Sequence, residues 1–356
     1  MVDERVRKIA EILIDYSTEV RKGDRVLIEA DVDARPLIVE LYKQALLRGA
    51  YPRVKLRLPE LSYIFFKHAS EEQLKYFPEV DYYEVQRTDV FIGIRAPRNT
   101  RELSTIDPSR IGLRMKVLKP ILDWRVEKTR WCVFYYPTSA LAQEANMPYE
   151  EFEEFVFNSC LIDWRELSKR MEKIKKAIEA TDEVRIIGER TDLRFSVKGR
   201  KAIVADGKHN MPDGEIFTSV VEDSVNGEIY FDIPAVYAGN LVEGVYLRFK
   251  NGVVVEARAE RGEELLKKLI ATDEGAKRVG EFGIGFNYNI TRPVHNILFD
   301  EKIGGTIHIA LGRGYKETLS KNESAIHWDL IKDLRKDGKV YFDGKLVMEN
   351  GKWLIA

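Results

Sequence analysis

The feature that most limits what this chain can fold into is a regular alternation of short apolar strands and amphipathic helices over its first 136 residues. Arg25 to Ala30 carries Val26, Leu27 and Ile28 in a row and reads as a buried strand. Ala34 to Arg48 reads as a helix closed by Gly49, and Arg53 to Leu58 as the next strand. A strand, a helix and a second strand in that order make a βαβ unit, because parallel neighbours need a crossover long enough to bring the chain back to the same end of the sheet. A helical stripe (Val6, Ile9, Ala10, Leu13, Ile14) precedes the unit. Helical patterns near Glu60 to Tyr76, a strand at Asp89 to Ile94, a helix at Asp107 to Trp124 and a strand at Trp131 to Tyr136 continue it. The expectation is a Rossmann-like α/β domain with a parallel sheet covered by helices. None of its strand-to-helix turns carries G-x-G-x-x-G or a P-loop, so the phosphate cradle of a nucleotide site is missing, and the domain reads as a scaffold or specificity domain.

From Ala140 to Ile178 the pattern is helical, with a charged amphipathic helix at Asp163 to Ala180. After Thr181 the period drops to two, with strands at Glu183 to Ile187, Asp192 to Val197, Glu228 to Asp232, Val245 to Phe249 and Val253 to Ala257. Helices are expected at Glu263 to Ala271 and Asp273 to Val279. Asp343-Gly344 and Asn350-Gly351 each separate short apolar strands, which predicts closing hairpins. The boundary is placed near Ala180, giving a Rossmann-like domain over 1–180 and a mixed α+β domain over 181–356. The 356 residues leave room for two cores.

Composition removes several function classes. Lys plus Arg number 57 against 58 Asp plus Glu, so there is no global field to hold a nucleic acid, and no apolar run is long enough for a membrane span. Cys132 and Cys160 have no metal spacing and are too few for a disulfide framework. Together with an N-terminus lacking a signal-peptide core, they point to the cytoplasm. Charged residues reach 32%, a level associated with ion-pair networks in heat-adapted proteins, so a thermophilic source is expected.

The chemistry concentrates between Gly304 and Asp329. In Thr306 to Leu311 the alternation turns Ile307, Ile309 and Leu311 toward a core, with His308 on the opposite face. His327 and Asp329 stand at i and i+2, which share one face of a strand. Imidazole and carboxylate are the usual nitrogen and oxygen donors for zinc, cobalt or manganese; the competing reading is a pair of hydrogen-bonded structural histidines. Two glutamates sit among glycines and prolines rather than on a charged helix: Glu215, in Met211-Pro212-Asp213-Gly214-Glu215, and Glu281, in Gly280-Glu281-Phe282-Gly283. A carboxylate in apolar surroundings needs a partner or a metal, although Glu215 also fits an exposed turn and Glu281 a helix-terminal ion pair. Glu222, Asp223, Asp300 and Glu301 are further candidate carboxylates, although their neighbourhoods look more like solvent-facing strand ends. His209 and His295 fall in polar loops, and His68 on a surface helix.

As an ordered set these segments, with His308-Ile309-Ala310-Leu311-Gly312 and Tyr315 seven residues after the histidine, resemble the thermophilic aminopeptidase family (aminopeptidase T-like or aminopeptidase S-like metallopeptidases). Tyr136-Pro137-Thr138, Thr191-Asp192-Leu193, Glu222 to Gly227 and Asp300 to Thr306 extend the resemblance in the same order, while the first 130 residues match only in pattern. The resemblance implies a cytoplasmic, homodimeric aminopeptidase with two divalent metal ions (zinc, cobalt, manganese or magnesium). Glu215, Glu281, His308, His327 and Asp329 would be the ligands and Tyr315 would stand beside them. Its substrates would be short peptides with a free N-terminus.

In that picture Tyr315 hydrogen-bonds the developing oxyanion, and Glu281 either carries the proton of the attacking water or only bridges the metals. The aromatic helix Phe152, Phe155, Phe157 offers apolar surface for a dimer, or else packs on the chain's own sheet. Two other functions fit the same residues: a two-metal hydrolase of a non-peptide amide, and a catalytically inert metal-binding homologue.

Overall fold

The computed structural model describes residues 3–237 and 239–355. The chain divides into two compact units, one formed by Met1–Leu161 with Gly207–Pro212 and the other by Ile162–Asp206 with Asp213–Ala356. The division falls ahead of the helix Trp164–Glu179 rather than after it at Ala180. That helix buries Leu167, Met171, Ile174 and Ile178 and packs against two strands of the second unit.

The first unit is the parallel sheet expected from the alternation. Its strands β1 (Arg25–Asp31), β2 (Tyr51–Arg57), β3 (Val90–Arg95) and β4 (Arg130–Tyr135) lie in the order β2-β1-β3-β4, and Asn210–Met211 adds a short fifth strand beside β4. Every pairing is parallel. Ile28 and Ile92, opposite each other on the two central strands, are fully buried, which is why β1 and β3 read as continuous apolar runs. The helix Tyr149–Cys160 buries Phe152, Phe155 and Phe157, and it contacts the N-terminal helix Glu4–Glu11 of the same unit. Its aromatic face is therefore used inside the chain and offers no surface for a dimer.

Among the described residues the second unit holds two large antiparallel sheets and a two-stranded ribbon, Ala235–Tyr237 with Asn240–Val242. The larger runs in the order Val253–Arg258, Val245–Lys250, Asn226–Phe231, Thr191–Ser196, Glu183–Gly188, Lys339–Phe342, Lys345–Glu349, Lys352–Trp353, so the C-terminal hairpins complete a sheet begun just after residue 182. The smaller has five strands: β5 (Ala202–Ala205), β6 (Glu215–Thr218), β7 (Val279–Gly285), β8 (Thr306–Gly312) and β9 (His327–Asp333), in the order β9-β8-β7-β6-β5. Phe195 of the larger sheet meets Phe282 of β7 edge to face, with ring centroids 5.0 Å apart. Phe282 and Ile284 thus line the interface between the sheets, and Glu281, Gly283 and Gly285 project from the opposite face.

The helix expected at Asp273 to Val279 is only a short turn, Gly275–Lys277, and Val279 already belongs to β7. The Asp273 carboxylate accepts hydrogen bonds from the backbone N–H groups of Ala276 and Ala325 and from the Ser324 hydroxyl, fixing the segment as a loop. Among the described residues no helix is long and apolar enough to cross a membrane.

Candidate metal centre

The five side chains singled out in the sequence all project from one face of the smaller sheet, and the register explains why glycine and alanine surround them. Directly opposed residues of antiparallel strands share a face. Glu281 lies opposite Ala310, and Ala310 in turn opposite Asp329. His308 lies opposite Gly283, His327 opposite Gly312, and Glu215 opposite Gly285. Each polar side chain therefore has at least one neighbour in its row with one side-chain carbon or none. This clears the volume above the sheet, and at Gly283 the clearance is nearly used up: an added Cβ would lie 1.9 Å from His308 Nε2.

All seven residues of β7 and all seven of β8 are buried. His308 lies on the face opposite Ile307 and Ile309, as the alternation implies, and that face too is wholly enclosed. Its Nε2 lies 3.2 Å from Glu281 Oε1 and 3.5 Å from Glu215 Oε2. His327 Nε2 lies 3.4 Å from Asp329 Oδ1 and 3.9 Å from Glu281 Oε2, while its Nδ1 donates to the Arg313 carbonyl at 2.6 Å. That backbone contact fixes the ring and leaves Nε2 toward the carboxylates, the support usually found behind a metal-binding histidine. Tyr315 stands at the mouth, 40% exposed, with its ring centroid 5.2 Å from that of His327 and 5.5 Å from that of Phe217.

The structure brings two further residues, Glu301 and Lys302, to the cluster. Glu301 was read with Asp300 as a solvent-facing strand end, yet it follows the short helix Ile297–Asp300 into the cluster, and Asp300 is 2% exposed. One ligand atom each from Glu215, Glu301 and His308 fall within 4.8 Å of one another; a second triad, Glu281, His308 and Asp329, meets the same limit and shares the histidine. Lys302 is fully buried beside them. Its ammonium contacts Glu301 and lies 3.5 Å from Glu215 Oε1 and 4.0 Å from Asp213 Oδ1. A run Asp-Glu-Lys ordinarily marks a solvated turn, so the residue pattern carries little signal for it beyond the following Gly304-Gly305 and the place of Asp300 to Thr306 in the family resemblance.

The electrostatics are those of anions crowded out of water. Burial and then the nearby Glu301 charge raise the Glu215 carboxyl well above the usual range. Burial also raises Glu281, against its hydrogen bond with His308. For both histidines burial opposes protonation but the carboxylates prevail: the Glu281 hydrogen bond and the charges of Glu215 and Asp329 push His308 up to about 10, and Asp329 pushes His327 up to about 9. Burial acts to raise Asp329 as well, yet its His327 partner holds it below the ordinary value. Partial burial, followed by the charges of Glu281 and Asp329, raises the Tyr315 phenol.

Several donor atoms have no hydrogen-bond partner despite being buried: Glu215 Oε2, Glu281 Oε2, His308 Nδ1 and Asp329 Oδ1. Unpaired oxygens of this kind are costly, and a cation relieves the cost. The donor set, imidazole and carboxylate without thiolate, suits a divalent ion such as zinc, cobalt, manganese or magnesium.

Residues 2–353 match the family model described as thermophilic metalloprotease (M29). The chain is 29% identical to Aminopeptidase 2 of Geobacillus stearothermophilus, covering 99% of this chain and 98% of that protein. It is 27% identical to Aminopeptidase T of Thermus thermophilus, with 98% of each covered. The solved structure of wild-type AmpT from Thermus thermophilus superposes with a TM-score of 0.86 at 26% identity, covering 99% of both chains.

Proposed function

The chain belongs to the thermophilic metalloprotease (M29) family, and on that premise we propose that it is an aminopeptidase that removes N-terminal residues from short peptides with the help of two divalent metal ions. One observation carries the reading: Glu215, Glu281, Glu301 and Asp329 converge with two histidines, His308 beside Glu215 and His327 beside Asp329, so that each of two cations could have its own imidazole nitrogen. The resemblance placed Glu215, Glu281, His308, His327 and Asp329 in this role, and Glu301 joins them. When bound, two such cations would supply Lewis acidity to a water, to the scissile carbonyl and to a free α-amine.

The protein's own groups have separate tasks. Arg313 and His327 form a fixed arm, because the carbonyl holds Nδ1–H and only Nε2 is left to act as a ligand. Glu281 faces both histidines and is the carboxylate best placed to take a proton from the attacking water and pass it to the leaving amine, provided it does not only bridge the metals. Tyr315, with its phenol kept protonated at neutral pH, is a hydrogen-bond donor for the developing oxyanion. In this reading the second unit is catalytic and the first a scaffold or specificity unit. A homodimer belongs to the proposal too. Its support is now the exposed apolar set Val39, Leu46, Leu47, Val54 and Leu56 on β2 and the helix Arg35–Leu47, since the helix Tyr149–Cys160 is occupied within its own unit.

The test is a panel of dipeptide amides, free and N-acetylated, assayed before and after chelation. Hydrolysis confined to free amines and dependent on a divalent metal is the expected outcome. Equal cleavage of acetylated substrates would move the function to a general amide hydrolase, and full activity in metal-free protein would remove the metals from the chemistry.

A further inference from the structure

A lysine is an odd neighbour for a cation site. Lys302 has no exposed side-chain surface, and among the described residues its ion pairs within 4.0 Å are to Asp213, Glu215 and Glu301, none of them on the Glu281–Asp329 side. An ammonium buried at this depth is tolerated only where carboxylates enclose it. The charge count then becomes informative. Asp213, Glu215, Glu281, Glu301 and Asp329 bring five negative charges and Lys302 one positive, leaving four, which two divalent cations neutralise. Without the lysine the same centre would remain anionic after taking up both metals. The lysine also breaks the symmetry of the pair, because it repels a cation in the Glu215–Glu301–His308 group at short range and one in the Glu281–His327–Asp329 group from farther away.

We propose that Lys302 is a permanent third cation of this centre, which makes the Glu215–Glu301–His308 group the weaker, exchangeable metal site and the Glu281–His327–Asp329 group the tight one. The inference rests on the two-metal reading above and adds an order of occupancy and the residue that sets it. The same ammonium keeps Glu215 and Glu301 in place while the weaker site is empty, since these carboxylates would otherwise face each other unpaired.

Calorimetric titration of cobalt(II) into chelator-treated protein tests this. The intact protein should show two binding events at least about tenfold apart in affinity, and Glu301→Gln should remove the weaker. Lys302→Met should tighten the weaker event by about tenfold or more while changing the stronger by less than about threefold, as expected for a short-range charge effect. The metal-free Lys302→Met protein should melt at a lower temperature than the intact one, and metal should raise its melting temperature by more. The double variant Lys302→Met/Asp213→Asn restores the net charge and should bring the weaker affinity back toward that of the intact protein. Two events of equal affinity in the intact protein, or equal weakening of both in Lys302→Met, would overturn the proposal while leaving a two-metal enzyme standing. Failure of both lysine variants to fold even with metal present would assign Lys302 to the fold and overturn it as well. An intact protein that binds no cobalt would sink the metal centre itself.

Discussion

Gly283→Ala changes no proposed ligand and adds one methyl group, yet it should disable the centre. Gly283 lies opposite His308 in the β7–β8 ladder, and its backbone is not in the left-handed region, so alanine is conformationally acceptable. The obstacle is steric. The new Cβ would lie 1.9 Å from Nε2, 2.1 Å from Cε1 and 2.6 Å from Cδ2 of His308, where ordinary contact begins at 3.4 Å. The imidazole would have to retreat by roughly 1.5 Å inside a fully buried layer, or the strands would have to part. Overpacking of a buried layer costs about 1–3 kcal/mol of stability. Disturbing the support of a metal ligand costs about 10–100-fold in affinity or activity, and His308 stands beside Glu215, so the metal on the Glu215–Glu301 side should bind more weakly. Differential scanning calorimetry of the metal-free variant would read the first effect, and cobalt titration with an aminopeptidase assay the second. A Gly283→Ala protein that binds two metals with unchanged affinity and keeps its activity would refute the placement of His308 against β7.

Three further outcomes are expected. Tyr315→Phe should lower kcat by about a hundredfold, the usual loss for one oxyanion donor, with metal content and KM little changed; a wild-type kcat would leave Tyr315 as a packing residue against Phe217 and His327. His327→Ala should lose bound metal on elemental analysis, because the Arg313-anchored arm cannot be replaced by its neighbours; unchanged metal content would strike it from the ligand set. The Asp89 carboxylate accepts from the Arg25 guanidinium and backbone N–H, and this pulls it from 3.8 down to about 2. A depressed carboxylate stabilises the fold above its unfolded value and ceases to do so as pH falls through about 2. Asp89→Asn should therefore flatten the acid limb of the stability curve between those values, and an unaltered limb would place the titration elsewhere.

What the sequence determined by itself follows from local periodicity. The alternation in the first half predicted the parallel sheet because consecutive buried strands leave apolar runs, and each crossover helix leaves a stripe and a closing glycine. That His327 and Asp329 lie side by side is legible because residues two apart share a strand face whatever the strand packs against. Glu215 and Glu281 stood out because a charge among glycines is costly in any fold. Three outcomes depended on tertiary structure. Whether Phe152, Phe155 and Phe157 face a partner or their own core depends on which elements pack over them, and they proved to be covered from within the unit. Whether Asp273 begins a helix depended on Ser324 and Ala325, some fifty residues away, whose hydrogen bonds hold it in a loop. The placement of Glu301 and Lys302 depended on the chain folding a charged turn inward beside Glu215. A run of charges reads as solvated until the carboxylates and the ammonium are seen to neutralise one another, and that neutralisation exists only once Asp213 and Glu215 are brought beside them.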